Sequence, residues 1–309
     1  MIKVLLTGGN GLLGQKLIPL LLADDNIYPV ITSRGAARFD RSYGDFQYFD
    51  LDITKRDHVF NIVHLVQPDV IIHTAAMTNV DYCEQHQDEC WEVNVQSIAH
   101  LLHAAEAYHS FFIHLSTDFI FDGNKRRLTE EEAPRPINFY GQSKLQAETL
   151  VKQSRVRHAI LRTALVYGLV PGMSRSNIVL WVKNSLEAQK PIQVVDDQYR
   201  TPTFVEDLAM GCFLVAQQRA EGTYNISSGE VLTPYQMALE IADVFQLDAS
   251  LITRTDSSRF RQTAERPPET GLVINKAKCE LGFKPSTFRE GIASMQEQLS
   301  VIPSQSFYS

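Results

Sequence analysis

No apolar run in this chain approaches the roughly 18 residues that a bilayer-spanning helix needs, so no membrane span is expected. The N-terminus lacks the charged and apolar regions of a signal peptide and begins at once on a strand-like run. Cysteine is sparse: Cys83, Cys90, Cys212 and Cys279 are scattered and form no C-x-x-C pair. Cys83 and Cys90 lie near His86, but at that spacing, on a stretch that reads as helix, no metal site is expected. A cytoplasmic protein with reduced thiols follows. Dense basic runs are also missing, and the net charge is −7; Arg126-Arg127 and the arginines between Arg259 and Arg266 are local and interrupted. A nucleic-acid or anionic-membrane partner is therefore not expected. There is no internal repeat and no low-complexity segment.

What the chain does have is core. Its 309 residues are 44% hydrophobic and 21% charged, ordinary for a folded α/β protein with one large domain or a major domain and a smaller lobe. Near-continuous apolar runs at Ile2–Thr7, Tyr28–Thr32, Phe46–Phe49, Asp69–His73, Phe111–Ser116 and His158–Thr163 alternate with helix-forming stretches such as Thr54–Leu65, Asp88–Tyr108 and Phe139–Gln153. This alternation predicts an α/β, doubly wound parallel sheet of the Rossmann type, with ligands beyond the carboxyl ends of the strands. The alternation weakens past Gly168. Residues 1–168 are read as the dinucleotide-binding domain, with return segments near 199–228, and 169–309 as a smaller, interleaved substrate-binding lobe.

Thr7-Gly8-Gly9-Asn10-Gly11-Leu12-Leu13-Gly14 follows the first strand directly and opens an amphipathic helix. Glycines let backbone approach a pyrophosphate, and the N–H groups of a helix start receive its charge, so this turn is read as a dinucleotide site. Gly8, Asn10, Gly11, Leu12 and Leu13 are its candidate cofactor residues. Pro19 is expected to kink that helix or end its regular part. After the second strand, where an acid would accept from the adenosine ribose, the chain reads Thr32-Ser33-Arg34. Ser33 and Arg34 suit a 2′-phosphate, which favours NADP(H) over NAD(H). Asp52 and Ile53 fit an adenine contact, although Asp52 could equally cap the following helix.

Tyr140 and Lys144 stand four residues apart, on one helix face, where the lysine charge is expected to lower the tyrosine pKa. Such a tyrosine can protonate a carbonyl oxygen while hydride arrives at carbon. Thr117 ends an apolar strand and could bond the same oxygen, and Asn94 could hold a water or a backbone group behind the lysine.

Taken together these residues resemble the extended short-chain dehydrogenase/reductase superfamily, and within it the dTDP-4-dehydrorhamnose reductases. The segments that carry the likeness are residues 7–14, 72–81, 116–123, 140–144 and 197–203. The resemblance implies hydride transfer from NADPH to the C4 keto carbon of a nucleotide-linked deoxysugar. Tyr140 would be the acid, Lys144 its tuning and ribose-orienting partner, and Thr117 the binder of the C4 oxygen. Ala75, Ala76 and Thr78 would line the cofactor; Val80 and Asp118 would lie at the sugar, and Arg200 at the substrate diphosphate or in a structural ion pair. A homodimer is also implied. Two departures stand out: Leu165 occupies a place usually held by tryptophan, and His73 one often held by asparagine. No metal ligands of the family can be matched.

Three other functions share parts of this pattern. A 4,6-dehydratase would carry a glutamate where this chain has Phe119, and a 4-epimerase an acid where it has Arg34. The regulatory subunit of methionine adenosyltransferase, a non-catalytic NADP-binding protein, resembles the same reductases.

Overall fold

The structure is a computed structural model and describes residues 1–39, 44, 46–173, 176–260 and 262–301. In chain order the strands are β1 (Ile2–Thr7), β2 (Ile27–Ser33), β3 (Gln47–Asp50), β4 (Val70–His73), β5 (Phe111–Thr117), β6 (His158–Thr163), β7 (Val166–Tyr167), β8 (Ile192–Val195), β9 (Tyr199–Arg200), β10 (Thr203–Phe204), β11 (Gly222–Asn225), β12 (Ile252–Thr255) and β13 (Glu269–Thr270). The helices are α1 (Leu12–Leu22), α2 (Arg56–Val66), α3 (Val80–Gln85), α4 (Gln87–Trp91), α5 (Ser97–Ala107), α6 (Phe139–Gln153), α7 (Ile178–Glu187), α8 (Val205–Gln218), α9 (Pro234–Val244), α10 (Asn275–Leu281) and α11 (Phe288–Val301).

Seven strands form one parallel sheet in the order β11-β6-β5-β4-β1-β2-β3. Successive strand residues point to opposite faces, so an uninterrupted apolar run covers both. Val4, Leu6, Ile31, Ile72 and Ile113 pack with Leu17 and Ile18 of α1, Leu208 and Cys212 of α8, and Leu281 of α10. Leu5, Val30, Ile71, Phe112 and Ile160 pack instead with Val59 and Val63 of α2, Ile98 and Leu101 of α5, and Ala147 and Val151 of α6. This is the doubly wound α/β fold that the sequence pattern predicts. A separate core, including Val179 and Leu186 of α7, Met237 and Ile241 of α9, and Ile292 and Met295 of α11, lies beside the parallel β8–β12 pair. The chain leaves the main sheet after β6, yet α8 packs on α1 and β11 rejoins the sheet beside β6.

Three expectations need correction. Pro19 does not end α1: the helix continues to Leu22, and the Pro19 carbonyl accepts from Ala23 N at 3.0 Å. The ring removes only its own donor, and the burial of Leu17, Ile18 and Leu21 holds the turns on either side. The helix expected from Thr54 begins at Arg56, because Asp52 Oδ1 accepts from both the backbone N and the hydroxyl of Thr54. The helix expected over 88–108 runs unbroken through α4 and α5, but the turn between them, Glu92–Gln96, is π-helical. No helix among the described residues is long and apolar enough to cross a membrane.

Candidate active site

A cavity of about 990 Å³ opens at the carboxyl ends of β1, β4, β5 and β6. β1 and β4 are neighbours whose following segments depart to opposite sides, which is where an open α/β sheet forms a crevice. Asn10 to Gly14 form one wall, Ala76, Thr78 and Val80 another, and Thr117, Asp118, Tyr140 and Lys144 the floor. The far side is built by later parts of the chain, through Leu165, Met173, Ile178, Arg200 and Arg266.

The glycine turn is shaped for an anion. Gly8 sits at φ +77°, and a Cβ there would lie 2.7 Å from both Ala75 N and Thr74 Oγ1. At Gly11 an added Cβ would meet only Gly8 O, at 3.2 Å, so its outer side faces open cavity at the first turn of α1. These features fit a bound dinucleotide pyrophosphate. Asn10 ties the turn to the loop after β2, donating to Ala36 O at 2.9 Å and accepting from Arg38 N at 2.8 Å. Ser33 Oγ accepts from Asn10 N at 3.4 Å, and Arg34 stands exposed just beyond, outside the cavity wall. Sequence reasoning missed Asp50, which β3 brings to the same loop, where its carboxylate accepts from Gly35 N at 2.7 Å.

α6 carries the reactive pair. Asn138 caps it, accepting from Gly141 N at 2.8 Å, which places Tyr140 in the first turn. Gly141 allows α6 to lie directly on the 3₁₀ turn after β5, since a Cβ there would come within 2.2 Å of Phe119 O. Tyr140 lines the cavity beside Thr117, and its ring meets Phe119 edge-on at 6.0 Å. Thr117, Tyr140 and Lys144 thus converge on one floor. Their electrostatics differ from the sequence expectation. Burial pushes the Tyr140 phenol well above the usual tyrosine range, with the neighbouring Thr117 hydroxyl acting the other way. Lys144 does not lower it, because its ammonium points to β5 and donates to Leu115 O at 2.6 Å. Burial brings Lys144 itself down to about 8.

Asn94 lies in the π-turn. Its amide accepts from Met77 N at 2.8 Å and donates to Met77 O at 3.0 Å and Ser143 Oγ at 3.1 Å. It therefore clamps the loop after β4 to α6. Glu148, one turn beyond Lys144, takes both arms of Arg162 from β6 at 2.9 and 2.8 Å, and both side chains are buried. That bidentate pair pins α6 to the sheet.

Several expected contacts are already spent. Asp52 is used in capping its turn; Ile53 is buried in the core behind it. Arg200 does not present a free guanidinium to a diphosphate. It donates to the carbonyls of Tyr199, Pro267 and Pro268 at 2.9, 2.6 and 3.0 Å and lies against the face of Phe119, clamping the loop 267–268. Asp118 reaches the cavity, but Thr270 donates to one of its oxygens at 2.5 Å and Thr117 to the other at 3.2 Å. Burial raises its carboxyl, which Arg200 opposes. Ala75 packs against Gly8 instead of facing the cavity. Arg266, on the cavity wall, holds Asp81 through two bonds of 2.6 and 2.5 Å and keeps that carboxyl down at about 2. In the sequence it stands in an interrupted basic run that reads as a solvated face or an anion contact. Leu165 faces the cavity with φ +40°, strained for a leucine. Among the described residues no cluster of three or more His, Cys, Asp or Glu side chains could hold a metal ion.

Sheet order, glycine turn and the tyrosine–lysine helix define a dehydrogenase/reductase of the extended short-chain class. The chain belongs to the family described as RmlD substrate binding domain, which matches residues 2–301. It is 33% identical to methionine adenosyltransferase 2 subunit beta of Mus musculus over 297 residues, covering 94% of this chain and 86% of the relative. Among solved structures it is similar to a dTDP-4-dehydrorhamnose reductase from Clostridium acetobutylicum, with a TM-score of 0.86 and 28% identity over 97% of this chain and all of that one. A second, from Bacillus anthracis, is a dTDP-4-dehydrorhamnose reductase in complex with NADP; its TM-score is 0.82, with 26% identity over 96% of this chain and 100% of that one.

Proposed function

We propose that this protein is an NADPH-dependent oxidoreductase that reduces the C4 keto group of a nucleotide-linked deoxysugar, in the manner of a dTDP-4-dehydrorhamnose reductase. The observation that carries this reading is the convergence of Thr117, Tyr140 and Lys144 on a cavity entered from the glycine turn. Bound NADPH would supply the hydride and would lie along Gly8, Asn10, Gly11, Leu12 and Leu13, past Ala76 and Thr78, with its 2′-phosphate toward Ser33 and Arg34. Ala75 supports that path from behind Gly8. Thr117 holds the C4 oxygen, and Tyr140 gives it a proton as charge develops there, so the ketone leaves as an alcohol. The raised pKa keeps that proton on the phenol at neutral pH. Lys144, its ammonium turned to the Leu115 carbonyl, would orient the nicotinamide ribose of the bound cofactor. Val80, Asp118 and Arg200 border the sugar end, the last two as supports of its wall. The lobe after residue 168 closes over the substrate, and we place the protein in the cytoplasm, as a homodimer.

The identity to methionine adenosyltransferase 2 subunit beta favours a second reading, an NADP-binding regulatory subunit without turnover. The polar groups of the sugar end, engaged with one another in this state, are compatible with it. Phe119 in place of a second acid speaks against a dehydratase. Incubating the protein with NADPH and a panel of 4-keto nucleotide sugars, while following loss of reduced-nicotinamide absorbance, separates the two. Turnover supports the reductase. Tight NADPH binding with no turnover across the panel supports the subunit.

A further inference from the structure

Beneath Lys144 lies a buried stack of rings that the proposed reaction does not use. His73 from β4 and His114 from β5 are both sealed from solvent, with ring centroids 5.9 Å apart and planes 15° from parallel. His73 Nδ1 bonds Thr7 Oγ1 at 2.7 Å. His114 Nε2 faces Lys144 Nζ at 3.4 Å, and its Nδ1 is buried without a hydrogen-bond partner among the described residues. An ammonium only donates, so Nε2 must be the bare nitrogen and Nδ1 must carry the proton. That leaves a buried N–H unpaired, which an apolar ring at this position would avoid. Among the described residues this imidazole has one hydrogen-bond partner, the ammonium.

We propose that His114 is a positioning residue for Lys144: its neutral imidazole accepts from the ammonium and, with the Leu115 carbonyl, holds it at the floor of the cavity beside Tyr140. The inference rests on the reductase reading for its consequence in catalysis, but not for its test. Two acceptors at 2.6 and 3.4 Å fix the ammonium from below and favour its charged form against burial. The other groups that act on it are Glu148 on α6, itself paired with Arg162 of β6 and Lys152, Cys90 on α4 in contact with Cys83, and His73 across the stack. Glu148 and Cys90 favour the ammonium, and the two imidazoles are held neutral by burial and by Lys144 itself. Removing the His114 acceptor therefore lowers the Lys144 pKa further, and His114→Phe fills the space while taking away only the acceptor.

The test uses full-length protein with ¹³C-labelled lysine side chains, the Lys144 resonance being identified by its loss in Lys144→Met. Titration by NMR should place Lys144 near 8 in the wild type and about one pH unit lower in His114→Phe, a tenfold change in its acid constant, with His114→Gln restoring most of the difference. A Lys144 titration unchanged in His114→Phe, with only the melting temperature altered, overturns the proposal. If His114→Phe does not fold, His114→Gln against His114→Leu gives the same comparison. Where turnover is found, the alkaline limb of kcat/KM must move with the NMR value; absence of any turnover refutes the reductase reading and leaves the titration to decide the role of His114.

Discussion

Burial moves Tyr140 and Lys144 in opposite directions, so at neutral pH the site holds a protonated phenol beside a mostly charged amine. A carbonyl reduction needs that starting state, a proton ready on the acid and a positive charge near it. Tyr140→Phe removes the proton and keeps the ring against Phe119. It should lower kcat by about 10²- to 10⁴-fold with NADPH affinity nearly unchanged, measured by turnover and by quenching of nicotinamide fluorescence. Activity within a few-fold of wild type would take Tyr140 out of this role. Arg34 is exposed at the end of β2, with Asp52 close enough to feel its charge. Arg34→Ala should weaken NADPH about tenfold and leave NADH almost untouched, the loss of one charge-assisted phosphate contact. Equal losses for both cofactors would reject the 2′-phosphate assignment. Thr117, Tyr140 and Lys144 were legible in sequence because each belongs to a short local motif. The pairs Asp118–Thr270 and Asp81–Arg266 were not, since each joins residues more than 150 apart that no spacing rule connects.

The six strands read before Gly168 all occur, within a residue or two of their observed ends, as does a short strand at Gly222–Ile226, because runs of apolar β-formers buried on both faces leave little ambiguity. Of the short pairs β7–β10 and β9–β13, the sequence marks β9 and β10 only as one extended segment, Tyr199–Phe204, and gives no sign of β7 or β13: two residues have no period to detect. The π-turn at Glu92–Gln96 is likewise invisible in a pattern that reads as continuous helix, yet it is what turns Asn94 toward Met77 and Ser143. The element with most at stake is α6, whose register sets both Tyr140 and Lys144. The Arg162–Glu148 pair holds it, and burial, which pushes Glu148 upward, is outweighed by Arg162. Glu148→Gln leaves an uncompensated buried guanidinium and should cost about 3–5 kcal/mol in denaturant unfolding. A cost below about 1 kcal/mol would show that the pair does not pin the helix.

For the molecule as a whole, the sheet and its two helical layers place the cavity floor at one rim and the separate core of α7, α9 and α11 beside it. This placement also buries two imidazoles in the centre of the sheet, and they make stability depend on acid. Burial lowers His73 from 6.5 to about 3, with Lys144 adding to the shift, and lowers His114 well below its ordinary value. The unfolded chain binds protons on these rings below pH 6.5 while the folded one does not, so their contribution is whole above that pH and drains away as pH falls toward 3. The loss per ring is at most about 1.4 kcal/mol per pH unit. Between pH 6.5 and about 4.5, before Asp81 and its like begin to protonate, unfolding free energy should fall steadily, and His73→Gln should flatten the slope. A stability curve level from pH 7 to 5 in the wild type would contradict it.

Transfer of hydride to a sugar carbon is the claim on which everything else depends, and isotope labelling reads it directly. The protein is incubated with a 4-keto nucleotide sugar and NADPH dideuterated at the nicotinamide C4, and the product is analysed by mass spectrometry and NMR. The account predicts an alcohol carrying one deuterium, bonded to sugar C4, and none from Tyr140→Phe on the same timescale. Tight binding of the labelled NADPH with no deuterium in any sugar of the panel would contradict it.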